Sequence, residues 1–154
     1  DGSDERQYSS PGFRIPIATI TRDKYYEYPQ YHTSLDNLDF VNGSQIVESL
    51  ALYRATVQIL DQNKCYRSTS PNGEPQLSRR GLYPLTGGGI NQLSVASNAV
   101  PVEQTLNAVI WLMFMADGDH DLLTTAESSG MPFDVLLQAA SQLIDCGLLE
   151  LVSG

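Results

Sequence analysis

The first of the two histidines in this chain, His32, lies in the segment YHTSLDN, directly after Tyr31. A neutral imidazole makes a good zinc ligand when its second ring nitrogen is held by an acceptor. Zinc takes three or four protein ligands, however, and the sequence has no cysteine–histidine cluster that could supply them. By spacing alone, the pattern favours a loop histidine over a metal ligand at His32.

A second group of reactive side chains stands near the start of the chain, in GSDERQY (residues 2–8). Small, acidic, basic and amide groups follow one another there, and such a composition has little reason to lie in a core. The next stretch, FRIPIATIT (residues 13–21), alternates apolar residues with Arg14 and Pro16, which predicts a short strand. Because Pro16 has no N–H group, we expect this strand near a sheet edge.

The segment from Arg22 to Ser34 has no periodicity and is expected to be a loop that leads towards a helix. Asn42-Gly43-Ser44 predicts the start of this helix, which continues to about residue 60. Its apolar positions recur at spacings of three and four, namely Ile46, Val47, Leu50, Tyr53, Val57 and Leu60. Residues 66–100 are rich in Ser, Pro, Gly and Asn and predict a connector, part of which packs at GEPQLSRRGLYP.

The last third of the chain has helical patterns. Helices are predicted over residues 102–116, 122–129 and 132–146, followed by a small strand over 148–152. Helix, short helix, longer helix and strand is the order of a winged helix-turn-helix. His120 lies in the acidic run DGDHD, which lacks the spacing of a calcium-binding EF-hand and is expected to be a solvated turn.

The charge distribution argues against a nucleic-acid partner. Residues 1–80 carry all nine Lys and Arg together with ten Asp and Glu, whereas residues 81–154 carry eight acids and no Lys or Arg. Affinity for nucleic acids depends largely on Lys and Arg that neutralise phosphates. We therefore expect the helical tail to pack against protein, and a winged-helix DNA-binding regulator is the less favoured alternative.

Membrane insertion is not expected either. The longest apolar run, residues 108–116, is about half of the roughly 18 residues that suggest a membrane span. The chain opens without Met or a signal-like stretch, so we expect a cytoplasmic protein of which this chain is an interior or terminal part. Cys65 and Cys146 have no metal-like or redox spacing and are expected to stay as thiols.

Taken in order, DGSDERQYSSPGFRIPIATITR and YPQYHTSLDNLDF resemble the C-terminal part of the catalytic domain of co-catalytic zinc exopeptidases, which include bacterial aminopeptidases and glutamate carboxypeptidases. The connector GEPQLSRRGLYP and the helical tail also resemble the aminopeptidase-like family that carries a C-terminal winged-helix domain. The resemblance implies an α/β fold: the end of a three-layer α/β/α catalytic domain over residues 1–65, a connector over 66–100 and a winged helix over 101–154.

The resemblance also assigns roles to residues. His32 takes the place of a zinc ligand, and Tyr31 that of a tyrosine that stabilises the oxyanion. The expected substrate-pocket or supporting residues are Ser3, Asp4, Glu5 and Asp36. Relatives often have Ser-Asp-His where this chain has Ser-Asp-Glu, so the pocket is expected to differ from theirs. The complete protein would bind two zinc ions and cleave a small peptide or amide.

The remaining zinc ligands and the general-base glutamate would lie in an N-terminal part of the catalytic domain, which is thus the implied partner, and this chain alone would be inactive. A binding protein that keeps the fold without catalysis is the main alternative, and the sequence upstream of residue 1 would discriminate between the two. The acidic winged helix is a candidate surface for homo-oligomerisation.

Overall fold

The computed structural model describes residues 2–83 and 102–152, and the chain divides into two compact units, residues 1–57 and 58–154. The helices are α1 (Ser3–Tyr8), α2 (Gly43–Gln62), α3 (Val102–Met115), α4 (Leu122–Ser129) and α5 (Phe133–Asp145), with a 3₁₀ turn at Leu77–Arg80. The strands are β1 (Cys65–Ser68), β2 (Asp117–Asp121) and β3 (Leu149–Leu151). None of the helices in the described ranges is long and apolar enough to cross a bilayer.

The first unit consists of α1, a long run of turns and irregular backbone, and most of α2. The predicted start of α2 is confirmed by its hydrogen bonds. The Asn42 Oδ1 atom accepts the backbone N–H of Gln45 at 3.1 Å, while the Gln45 side chain accepts the N–H of Asn42 at 3.2 Å. This reciprocal pair satisfies two amide groups that a helix start would otherwise leave without partners.

The strand predicted over residues 13–21 is wrong for this chain. Residues 14–21 have no regular secondary structure, and Phe13 and Ile15 remain exposed at 73% and 47%. A strand forms only beside another strand, and the described residues of the first unit contain none. For the same reason these residues do not form a layered α/β/α arrangement by themselves.

The second unit contains a three-stranded antiparallel sheet in the order β2-β1-β3, together with α3, α4 and α5. Helices α3 and α5 pack against each other, and α4 packs against α5. The helix predicted over residues 132–146 is confirmed as α5, whose buried positions are Val135, Leu136, Ala139, Ala140 and Leu143. Together with Val109 of α3, Leu122 of α4 and Leu148, these residues form the core.

The central strand β1 comes from the region that was predicted to begin the connector. Tyr66, Leu77 and Leu82 are each at most 6% exposed and join the core of the second unit. The expected packing of GEPQLSRRGLYP is confirmed at Leu77 and Leu82, and the remainder of the predicted connector, residues 84–100, lies outside the described residues. The second unit therefore takes up more of the chain than residues 101–154.

Strand β2 has an unusual sequence for a strand, DGDHD. Its pairing partner β1 carries Arg67 opposite Asp117, so that opposite charges face each other across the ladder. Gly118 has φ +94°, and a Cβ atom there would lie 2.6 Å from the Arg67 guanidinium. Long-range pairing thus overrides the low strand propensity of this turn-like run.

Replacement of Asp121 by alanine is expected to lower the free energy of unfolding of the second unit by about 1 to 2 kcal/mol. The Asp121 carboxylate caps α4 by accepting the N–H of Thr124 at 2.7 Å, and it also accepts the Asn63 amide at 2.7 Å. Hydrogen bonding by Thr124 lowers the pKa of this carboxyl group.

Urea unfolding followed by the fluorescence of Trp111, the single tryptophan, measures this effect. Asp119→Ala is a suitable control, because Asp119 is exposed in the same strand. Equal midpoints for the two variants would contradict a stabilising cap.

Candidate functional site

Tyr31 lies at the centre of an aromatic cluster in the first unit. Its ring centroid is 5.4 Å from that of Tyr25, 4.8 Å from that of Tyr26 and 5.8 Å from that of Tyr28. The rings of Tyr26 and Tyr28 contact the Tyr31 ring edge to face, which is a favourable geometry for aromatic pairs. Tyr31 is consequently half-buried, although it lies in an irregular segment.

Tyr31 also has a perturbed acidity. Desolvation is the largest cause that raises the pKa of its phenol, and the neighbouring tyrosines, Tyr26 first, raise it further. A tyrosine phenol is ordinarily protonated at neutral pH, and the raised pKa moves its ionisation further from that range, so the O–H remains a hydrogen-bond donor.

The His32 ring stacks on the ring of Tyr31, with centroids 4.0 Å apart and an angle of 13° between the planes. The side chain is exposed, and within residues 2–83 and 102–152 no hydrogen bond holds either ring nitrogen. His32 has φ +57°, a left-handed conformation that is uncommon outside glycine but is enriched in histidine. The stack and the backbone conformation together set the direction of the imidazole.

Two of the predicted pocket residues lie beside Tyr31. Asp4 and Glu5 of α1 line a cavity of about 540 Å³ together with Tyr31 and two further tyrosines. The Glu5 carboxylate accepts a hydrogen bond from the Thr19 hydroxyl, and this bond is the main cause of the lowered pKa of Glu5. Ser3 lies in the first turn of the same helix. The lining of the cavity thus combines the carboxyl groups of Asp4 and Glu5 with the phenol of Tyr31.

Asp36 lies outside this cavity. Its backbone N–H donates to the carbonyl of Thr33 at 3.1 Å, and its side chain is exposed. The side chain that bonds the backbone of this turn is that of the neighbouring Asn37, whose Oδ1 atom accepts the N–H of Asp39 at 2.9 Å. A supporting role for Asp36 therefore remains a prediction.

Sequence reasoning did not identify Thr19, Tyr25 or Tyr26 as site residues. Thr19 lies in the segment that was expected to be a strand, and the tyrosines lie in the aperiodic loop. The density of aromatic residues in YYEYPQY was the available signal, since such residues pack on one another when they are brought together.

The described residues do not complete a metal site. Within residues 2–83 and 102–152, no three His, Cys, Asp or Glu side chains are grouped so that they could hold a metal ion. His32 could supply one imidazole ligand to a metal ion, because its ring is exposed. Any zinc bound through it needs two or three further ligands from outside these residues.

The second histidine has a different environment. The His120 ring lies 2.7 Å from Asp117 Oδ2, and the backbone N–H groups of Asp119 and His120 donate to Asp117 Oδ1. These backbone bonds are the main reason why the pKa of Asp117 falls to about 2. The run DGDHD, expected to be a solvated turn, is therefore a strand, and the carboxylate of its Asp117 accepts backbone N–H groups of the same strand.

The sequence model of a winged helix-turn-helix family matches residues 64–151, which include every strand and the three packed helices of the second unit. The chain belongs to the winged helix-turn-helix family. Ahead of the winged helix, residues 1–63 match a domain of unknown function (DUF4910). The predicted winged-helix fold is thereby confirmed, with β1 as a part of it.

Two known proteins are similar to this chain over nearly its whole length, including both the N-terminal unit and the winged helix. A Clostridium acetobutylicum protein named for polysaccharide biosynthesis and for an aminopeptidase-like domain is 37% identical over 151 residues. A crystal structure of a C. acetobutylicum protein, provisionally named a peptidase, is similar with a TM-score of 0.75 and 33% identity.

Both matches cover 98% of this chain but only 32% and 30% of those proteins. The chain therefore spans about a third of the length of the relatives that it matches. The resemblance to peptidase-like proteins with a winged helix is confirmed at this level.

Proposed function

We propose that this chain is the C-terminal part of a zinc-dependent, aminopeptidase-like hydrolase that cleaves peptide or related amide bonds. The observation that carries the proposal is the Tyr31–His32 stack beside a cavity lined by carboxylates. The similarity to a protein with an aminopeptidase-like domain supports it. The catalytic unit would be completed by polypeptide outside this chain, since the relatives that it matches are about three times as long.

In the complete protein, His32 would hold one of two zinc ions through an imidazole nitrogen. Zinc supplies a Lewis acid that polarises the scissile carbonyl and lowers the pKa of a bound water molecule. The contribution of this chain is to aim the ring: the stack on Tyr31 and the left-handed backbone restrict the imidazole before it binds. Such preorganisation reduces the entropy that is lost on binding.

Tyr31 would donate its O–H to the oxyanion that develops on the substrate carbonyl. A donor placed where negative charge develops stabilises the transition state more than the ground state. The phenol must be protonated in order to donate, which a tyrosine ordinarily is at neutral pH, and the raised pKa of Tyr31 leaves it so. The rings of Tyr26 and Tyr28 pack edge to face against the Tyr31 ring and restrict its orientation.

Asp4 and Glu5 would line the substrate pocket, with Ser3 at its edge and Asp36 supporting the histidine turn from outside the cavity. Glu5 is ionised at neutral pH, as a glutamate ordinarily is, and the hydrogen bond from Thr19 lowers its pKa further, so this wall of the pocket is negatively charged. The winged helix would pack against protein. Helix α5, its third helix, carries Asp134 and Asp145 and no Lys or Arg.

The complete protein should lose hydrolytic activity when its metal is removed with a chelator, and activity should return when zinc is added. The assay should include amino-acid and dipeptide amides together with N-acylated amino sugars, since one relative is named for polysaccharide biosynthesis. Elemental analysis of the untreated and chelated protein measures the zinc content. Hydrolysis that persists in metal-free protein, or that is absent from zinc-loaded protein with every substrate, would contradict the proposal.

A further inference from the structure

The sequence contains two Asn-Gly pairs, Asn42-Gly43 and Asn72-Gly73. Because glycine has no Cβ atom, the backbone nitrogen of a glycine is sterically accessible and its chain adopts many conformations. An asparagine directly before a glycine is therefore well placed for a reaction between its side-chain amide and the next backbone nitrogen. The structure gives the two pairs different environments.

Asn42 is held at the start of helix α2. Its Oδ1 atom accepts the Ser44 hydroxyl at 2.6 Å and the Gln45 N–H at 3.1 Å. Its backbone carbonyl accepts the N–H of Ile46 at 3.3 Å, and Gly43 is the first residue of the helix. The side-chain amide is thus fixed towards the first turn, and these bonds must break before it can turn to the Gly43 nitrogen.

Asn72 lies in an exposed loop that is anchored at both ends. Before it, the Thr69 N–H donates to the Leu148 carbonyl at 3.1 Å, and after it the Leu77 side chain is buried in the core. Within residues 2–83 and 102–152, no hydrogen bond involves the backbone of residues 71–76 or the Asn72 side chain. Nothing comparable to the helix start therefore restrains the Asn72 amide.

We propose that Asn72 is a site of spontaneous deamidation and that the helix start protects Asn42 from the same reaction. The Gly73 nitrogen attacks Cγ of Asn72, so that an N–Cγ bond forms and the bond from Cγ to the amide nitrogen breaks. That nitrogen leaves as ammonia with the proton of the Gly73 N–H. Water then opens the cyclic imide at either carbonyl, adding OH to carbon and H to nitrogen, which gives aspartate or isoaspartate.

The reaction changes the charge beside a groove in the second unit. Gly73 and Glu74 line this groove of about 510 Å³ together with Ile110 and Phe114 of α3. The new carboxylate at Asn72 adds a second negative charge to the loop that carries Glu74. In the isoaspartate product the backbone also runs through the former side chain, which lengthens the loop between its two anchors by one methylene group.

Incubation of the complete protein in mildly alkaline buffer, followed by peptide mapping with mass spectrometry, tests the proposal. Asn72 should exchange NH2 for OH about tenfold faster than Asn42, because the bonds that cap α2 must open before Asn42 can react. Isoaspartate should be among the products, since it forms only through the cyclic imide. Equal rates at the two sites, faster reaction at Asn42, or aspartate as the sole product would overturn the proposal.

Unfolding in urea provides the control for sequence context. Both sites are then Asn-Gly pairs in an unfolded chain, so their rates should become similar. If Asn72 keeps its full advantage in urea, neighbouring residues and not the fold determine the rates, and the proposal is wrong.

Ser44→Ala tests the protection of Asn42 directly, because it removes the 2.6 Å hydrogen bond to Asn42 Oδ1. Deamidation should become faster at Asn42 and stay unchanged at Asn72. An unchanged rate at Asn42 would contradict protection by the helix start. None of these readouts depends on zinc or on hydrolysis, so they test this site separately from the proposed function.

Discussion

Replacement of His32 by asparagine in the complete protein should lower zinc affinity and kcat/KM by about 100-fold or more. Loss of a residue that merely supports a metal ligand typically costs 10- to 100-fold, and the loss of a ligand itself should cost at least as much. Asparagine is the informative choice because it tolerates the left-handed conformation, φ +57°, that His32 adopts. The variant thus removes the imidazole without adding backbone strain.

His120→Asn is the matched control. His120 is the other histidine of the chain, and its ring is bonded to Asp117 in the second unit. Zinc content by elemental analysis and hydrolysis rates should be unchanged in this variant. If His32→Asn also retains full zinc content and activity, the ligand assignment is wrong and His32 is a structural histidine of the loop.

Replacement of Tyr31 by phenylalanine should lower kcat about 100- to 1000-fold, with little change in KM or in zinc content. Removal of one oxyanion-stabilising donor has an effect of this size in other hydrolases. Phenylalanine keeps the ring that stacks on His32 at 4.0 Å and packs against Tyr26 at 4.8 Å, so only the O–H is lost. Steady-state kinetics separates kcat from KM.

Tyr28→Phe controls for the loss of a hydroxyl group in the same cluster. Tyr28 contacts Tyr31 at 5.8 Å, but it faces a groove beside α2 and does not line the cavity that Asp4 and Glu5 share with Tyr31. Its kcat should stay within a few-fold of the wild-type value. A kcat for Tyr31→Phe equal to that of Tyr28→Phe would show that the Tyr31 hydroxyl contributes nothing to the transition state.

The helices were predictable because their signals are local. The apolar spacing of α5 and the reciprocal Asn42–Gln45 pair at the start of α2 involve residues at most a few positions apart. The same holds for Gly130, which ends α4 in a left-handed conformation with φ +68°. Strand β1 was not predicted, because Tyr66 and Ser68 acquire their role only when β2 and β3, about 50 and 80 residues later in sequence, pair with them.

The candidate site was likewise predictable only where its signals are local in sequence. The order of GSDERQY, a strand-like segment and YHTSLDN in the sequence selected Tyr31 and His32. The approach of Asp4 and Glu5 to Tyr31 across more than 20 residues, and the exclusion of Asp36, depend on how the intervening turns fold. A repeating sequence pattern does not predict such a series of turns, because each turn depends on its own local hydrogen bonds.

By itself, the sequence determined the existence of α2, α3, α4 and α5, the acidic character of the winged helix and the candidacy of His32. Each of these depends on residue type and on spacing within one element. Only the tertiary structure decided that β1 belongs to the winged helix, that His32 stacks on Tyr31, and that residues 14–20 stay exposed without regular secondary structure. The physical reason is that strand pairing, cavity formation and burial are relations between residues far apart in sequence, which no local pattern encodes.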